Sequence, residues 1–89
     1  MLVVLAHLGT MTASTPPDSA GPLVEDLIWA HARPSEGIEH LTVRPAAHGL
    51  DLYFFIRSDP GRTAQDRVKA LLERLHRSFS HHGFALDHH

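Results

Sequence analysis

The sequence predicts a small α+β domain. We expect a short N-terminal helix, an antiparallel β-hairpin and one long amphipathic helix packed on the sheet, followed by a short C-terminal strand or a frayed tail. Residues 50–57 alternate at the two-residue period of a strand, and residues 63–79 repeat apolar side chains at helical spacing. Pro45 and Gly49 form a turn signal that separates residues 50–57 from a second alternating stretch at residues 38–44.

The N-terminal part of the chain, residues 1–21, is predicted to be a flexible arm or linker, and residues 22–89 a single small α+β domain. Residues 1–10 form an apolar run far shorter than the roughly 20 residues that span a bilayer. Three interpretations of the run stay open: a signal peptide, a true start at Met11, and an ordered edge strand. Residues 12–22 are rich in Ser, Thr, Pro, Ala and Gly, which is typical of a linker.

Residues 22–33 are predicted to form the N-terminal helix. Pro22 suits the first turn of a helix, and Val24, Leu27 and Ile28 fall on one helical face. A strand is the alternative, since Leu27 and Trp29 also alternate with polar or small residues. Trp29, the single tryptophan, is expected to anchor either the core or an interface.

The hairpin has a specific predicted register. A turn centred on Ala47 and His48 places Arg44 opposite Asp51, which sets opposite charges across from each other. The same register pairs Val43 with Leu52, Thr42 with Tyr53 and Leu41 with Phe54. A shift by one residue would send the apolar side chains to the wrong face.

The long helix has both a start signal and an end signal. Thr63 and Asp66 form a capping pattern at its start, and Gly83 is placed to end it. Its apolar stripe should cover the inner face of the hairpin and consists of Val68, Leu71, Leu72, Leu75 and Phe79. Residues 84–87 are predicted to form the short last strand, beside the hairpin and parallel to one of its strands, or a frayed tail.

Composition narrows the functional classes. The chain has no cysteine, so disulfides and thiolate chemistry are excluded, and a cytoplasmic location is expected. The net charge of −2 gives no general reason for binding to nucleic acid or to anionic membranes. The preference for Arg over Lys, with abundant Ala, Pro and Gly, indicates a bacterial source with a GC-rich genome.

Nine histidines are the unusual feature of the composition, and imidazole is a common metal ligand. A histidine-based site for a divalent metal is therefore an alternative function, although the spacing does not identify its ligands. The histidines are spread over the chain as His7, His31, His40, His48, His76, His81, His82, His88 and His89. Scattered surface histidines from biased composition are the simpler interpretation.

The most informative feature is the outer face of the second hairpin strand, because Tyr53 and Phe55 are apolar there and need a cover. We expect a non-catalytic protein–protein interaction module without a cofactor, homodimeric or bound to another protein, with an interface formed by Trp29, Tyr53, Phe55 and Arg57. The alternative cover is the Trp29 segment folding over this face within one chain. No motif indicates an enzyme.

A weak nucleic-acid-binding module is the third hypothesis. It depends on the basic side chains of the long helix and the residue ahead of it, namely Arg62, Arg67, Lys69, Arg74 and Arg77. The acidic balance of the whole chain argues against nucleic acid as a partner.

Overall fold

The computed structural model describes residues 1–12, 15–59 and 61–86. Its strands are β1 (Leu2–Thr10), β2 (Ile38–Ala46), β3 (Gly49–Ile56) and β4 (Phe84–Leu86). Its α-helices are α1 (Ala20–His31), α2 (Ala64–Arg74) and α3 (His76–His81), and a short 3-10 turn covers Pro34–Glu36. The α+β class is therefore confirmed, but the first element is a strand and not a helix.

The strands form one antiparallel sheet in the order β2-β3-β1-β4. Strand β3 lies between β1 and β2, which run parallel to each other, and β1 lies between β3 and β4. With α1 after β1, and α2 and α3 after β3, this is the split βαβ or ferredoxin-like arrangement. Topology alone gives no function.

All three helices pack on the same face of the sheet, which we call the inner face. Buried side chains of α1 (Val24, Ile28), α2 (Val68, Leu71) and α3 (Phe79) join those of the strands in one hydrophobic core. The strand side of this core comprises Leu8, Leu41, Leu50, Leu52, Phe54, Ile56 and Phe84. The opposite, outer face of the sheet carries none of the described helices.

The predicted hairpin register is confirmed at each of its pairs, from Arg44 opposite Asp51 to Leu41 opposite Phe54. A β-bulge between Ile38 and His40 is the one irregularity of the β2–β3 ladder. The alternation of β3 is also as predicted, because Leu52, Phe54 and Ile56 are fully buried. Local patterning therefore fixes the hairpin.

The long helix starts and ends as predicted but is interrupted in the middle. The Thr63 hydroxyl accepts a hydrogen bond of 3.1 Å from the Asp66 N–H, and Gly83 adopts a φ of 83° after α3. At Leu75 the N–H is shared between the carbonyls of Leu71 and Leu72, so the helix tightens and restarts as α3. The apolar stripe stays buried across this break.

The N-terminal segment differs most from expectation. The sequence predicts an arm at residues 1–21, whereas Leu2–Thr10 form β1 and pair with β3 along almost their whole length. Of the three interpretations of the apolar run, the strand is closest, although β1 lies between β3 and β4 and not at the edge. Leu8 is fully buried, so β1 is part of the core.

The helix predicted at residues 22–33 is confirmed over the strand alternative, and it begins two residues earlier, at Ala20. Trp29 is 42% exposed, so it does not anchor the core. The short last strand is also present as β4. It runs parallel to β3 but pairs antiparallel with β1, because β1 occupies the place beside the hairpin. Asp87 lies outside the described residues.

Within the described part of the chain, none of the helices has the length and apolar character needed to cross a bilayer.

Candidate functional site

The candidate site is the outer face of the sheet, built by alternate residues of three neighbouring strands. Directly opposite residues share a face, so the register defines three rows across the sheet. The rows run from β2 through β3 to β1 and are His40–Phe55–Val3, Thr42–Tyr53–Leu5 and Arg44–Asp51–His7. Two rows are mainly apolar, and the third is polar.

The apolar part of this outer face is continuous. Val3 lies opposite Phe55, and Leu5 lies opposite Tyr53. Val3 is 57% exposed and Leu5 is 62% exposed, while Tyr53 and Phe55 are half-buried by their neighbours. The N-terminal segment therefore enlarges the apolar face instead of covering it. Helix α1, which contains Trp29, packs on the inner face. The alternative in which the Trp29 segment folds over Tyr53 and Phe55 is therefore wrong.

The two aromatic side chains are supported from β2. The ring of His40 lies 5.5 Å from the ring of Phe55, with the two planes inclined by 49°. The guanidinium carbon of Arg44 lies 5.9 Å from the centre of the Tyr53 ring, within the range of a cation–π contact. Each of the two rings therefore has one side chain of β2 beside it.

The polar row closes one end of the outer face. His7 Nδ1 lies 2.8 Å from Asp51 Oδ1, a hydrogen bond that becomes an ion pair when His7 is protonated. The predicted register, with Arg44 opposite Asp51, is confirmed. The Asp51 carboxylate, however, forms its hydrogen bond with His7 of β1 and not with Arg44. This contact could not be predicted while β1 was interpreted as an arm.

The four predicted interface residues fall into two groups. Tyr53 and Phe55 lie on the outer face. Arg57 follows β3, and its N–H donates to the Gly37 carbonyl at 2.8 Å. Together with Trp29 it lines a shallow cavity of about 330 Å³ at the start of β2. Val3 and Leu5 were not predicted, although the unbroken apolar run of residues 2–6, typical of a strand with two apolar faces, was a usable signal.

The basic face of the long helix is smaller than the sequence predicts, because one of its arginines is buried. Arg67 is only 1% exposed, and its guanidinium donates to the carbonyls of Glu36 at 3.1 Å and Arg57 at 2.8 Å. Its Nε lies 3.4 Å from the Thr63 carbonyl. Arg67 thereby joins the start of α2 to the ends of β3 and the 3-10 turn. Its position four residues before Leu71, on the buried stripe, was the available signal.

A second arginine of the basic face is also engaged. Arg74 donates to both carboxylate oxygens of Glu36, at 2.6 and 2.9 Å, and to the His31 carbonyl at 3.0 Å. Burial by itself would raise the pKa of the Glu36 carboxyl. The hydrogen bonds from Arg74 and from the Arg33 N–H, together with the positive charges of the two arginine side chains, outweigh burial and hold the pKa of Glu36 below its ordinary value. The bond to Glu36 raises the pKa of Arg74.

These contacts weaken the nucleic-acid hypothesis, because the guanidinium groups of Arg67 and Arg74 already donate hydrogen bonds to groups of the chain itself. Of the basic residues named for it, only Arg67 is buried, and Arg74 is exposed but paired with Glu36. Arg62, Lys69 and Arg77 are also exposed. The hypothesis of a histidine-based metal site is not supported by the described residues either. In the regions that the structure describes, no three or more His, Asp or Glu side chains are grouped so as to hold a metal ion. His88 and His89 lie outside these regions.

No protein-family model matches the chain, and comparison with curated proteins and with solved structures gives no significant match.

Proposed function

We propose that this chain is a small, non-catalytic interaction module that forms a homodimer through the outer face of its sheet. The observation that supports this is the continuous apolar surface of Val3, Leu5, Tyr53 and Phe55, over which no described helix or strand packs. Antiparallel sheets that face water normally alternate to polar side chains on that face. Exposed apolar patches rimmed by polar residues are typical of protein–protein contacts.

A second copy is the simplest partner for a flat sheet face. Two sheets pack face to face about 10 Å apart with their strands inclined by about 30°. A two-fold axis between them would bring the same surface from each copy into contact, as in most homodimers. The polar row of Arg44, Asp51 and His7 would then lie at the rim, where charges keep contact with water.

The size of the face predicts a reversible dimer. Strands β1, β2 and β3 cover about 14 by 29 Å at ordinary strand spacing, a footprint of roughly 400 Å² per copy. Stable interfaces bury about 800 Å² of accessible surface per partner, and smaller ones are mostly transient. We therefore expect the monomer and the dimer to interchange with protein concentration.

The proposal requires neither a cofactor nor a reaction, so we assign the chain an accessory role and not an enzymatic one. The absence of cysteine is compatible with a reducing cytoplasm, and the arginine-rich composition with a bacterial source. We include both in the proposal as the expected setting.

The test is sedimentation velocity of the full chain over a hundredfold range of concentration. We expect the wild type to shift from monomer to dimer, and Phe55→Ala and Leu5→Ser to weaken the dimer at least tenfold. Leu23→Ser is the matched control, because Leu23 is an exposed leucine of α1 on the other side of the sheet. Circular dichroism checks that each variant is folded.

A wild type that stays monomeric throughout the concentration range would overturn the homodimer. A dimer that resists both outer-face variants but dissociates with Leu23→Ser would place the interface on the helical side, and would also overturn the proposal.

A further inference from the structure

Strand β1 has an open edge along most of its length. It pairs with β3 from Leu2 to Gly9, but on its other side β4 covers only the segment from Leu8 to Thr10. Residues 2–7 therefore have no described strand beside them on that side. Among the described residues, β4 is much shorter than the other three strands.

The direction of the unpaired backbone groups follows from two hydrogen bonds. The Thr10 N–H donates to the His48 carbonyl on the β3 side, and the Met11 N–H donates to the Gly83 carbonyl on the β4 side. Backbone groups of successive residues alternate between the two sides of a strand. Val3 and Leu5 therefore direct their N–H and C=O groups to the open edge, where no described group receives them.

The two edges of the sheet differ in their protection against pairing. The outer edge strand β2 contains Pro45, the charged Arg44 and a bulge next to Glu39, which are the usual devices that prevent association. Residues 2–6 contain no proline, no charge and no bulge. An unprotected edge of this kind is a template for an additional strand.

A groove runs along this open edge between β1 and α2. Two cavities of about 620 and 370 Å³ adjoin here and share Val4 and Gln65 in their linings. The apolar lining of the groove includes Leu2, Ala6, Val68 and Leu72. Residues with even numbers in β1 point to the inner face, so an added strand would place every second side chain against this lining under α2.

The charges around the groove cancel. Two basic side chains, Arg62 and Lys69, line the groove together with two acidic ones, Asp59 and Glu73. The positive and negative charges of these four side chains are therefore equal in number. A ligand complementary to this site is electrically neutral and apolar at alternate positions. The open edge from residue 2 to residue 7 is about 20 Å long, which corresponds to a segment of about six residues.

We propose that the open edge of β1 binds an extended, uncharged peptide segment of a partner protein, which adds to the sheet as a strand beneath α2. The β1 edge of a second copy does not fit. Paired strands lie about 4.8 Å apart, whereas helices need 8–10 Å between their axes. Because α2 borders the groove through Gln65, Lys69 and Glu73, two symmetric edges would bring their α2 helices into collision.

The experiment measures hydrogen exchange of the Val3 and Leu5 amides by NMR, in the full chain, with the probe acetyl-Val-Thr-Val-Thr-Val-Thr-amide. We expect rapid exchange in the free protein and at least tenfold slower exchange at saturating peptide. Val3→Pro should abolish binding, because it removes an edge donor without removing a β1–β3 bond. Val3→Thr is the matched control, since it keeps the N–H and should bind as the wild type.

Three outcomes would overturn the proposal. Slow exchange of both amides before peptide is added would mean that the edge is already occupied in the free protein. Peptide-induced shifts at Tyr53 and Phe55 without amide protection would place the peptide on the outer face. No binding at millimolar peptide would remove the site. The dimer-deficient Phe55→Ala variant should bind normally, so failure of the homodimer does not affect this test.

Discussion

Replacing Arg67 with methionine tests whether a buried guanidinium stabilises this fold. Methionine preserves most of the side-chain length and its apolar contacts, but it leaves the carbonyls of Glu36 and Arg57 without their donor. Hydrogen bonds from charged groups contribute about 1.5–3 kcal/mol each. The contact with Thr63, at 3.4 Å, is too long to count fully.

Two good hydrogen bonds give a gross loss of about 3–6 kcal/mol. The variant also avoids the cost of keeping a charge out of water, which offsets part of this loss. We therefore expect Arg67→Met to lower the free energy of unfolding by about 2–4 kcal/mol. For a domain of this size that corresponds to a fall in Tm of about 8–32 °C.

The assay is urea denaturation followed by circular dichroism, at one protein concentration because dimerisation would add to the stability. Arg77→Met is the matched control, since Arg77 is exposed on α3 and should change stability by less than about 0.5 kcal/mol. An Arg67→Met protein as stable as the wild type would refute the reasoning, because the cost of burying the charge would then equal or exceed the gain from its hydrogen bonds.

Two further predictions concern the backbone and pH. Gly49→Ala should destabilise the protein by about 3 kcal/mol, the upper end of the usual cost of overpacking, because the new Cβ would lie 1.9 Å from the Leu8 carbonyl oxygen. Gly9→Ala is the control, since its Cβ meets nothing within 4 Å, and equal stabilities of the two variants in thermal melts would contradict this. Glu36→Gln should lower stability most above pH 4.5, the ordinary pKa of the carboxyl. Its folded pKa lies lower, so the unfolded chain takes up the proton first, and the difference from the wild type should shrink as pH falls; parallel stability–pH curves would rule this out.

The parts of the fold that the sequence predicted are those determined by local interactions. The hairpin register follows from alternation and from one pair of opposite charges within a short stretch. The Thr63 cap and the Gly83 end need only neighbouring residues. The break at Leu75 was not predicted, because its stripe continues on both sides and leaves no change in period.

The parts that were missed depend on distant partners. Arg67 is buried because its acceptors are backbone carbonyls at the ends of β3 and the 3-10 turn, and carbonyls carry no side-chain signal. The prediction that β4 lies beside the hairpin was wrong for a related reason. Strand β1, from the other end of the chain, occupies the position next to β3. The error in the position of β4 follows from the interpretation of residues 1–10 as an arm.

The apolar run of residues 1–10 connects the missed strand with the proposed surfaces. A strand with one wet face shows period-two alternation, whereas a strand covered on both faces is apolar throughout. Leu8 faces the core and Val3 and Leu5 face outward, so both faces of β1 are apolar and the run lacks alternation. Since the described chain covers only the inner face, the composition of β1 itself favours a second layer, and the outer-face dimer would supply it.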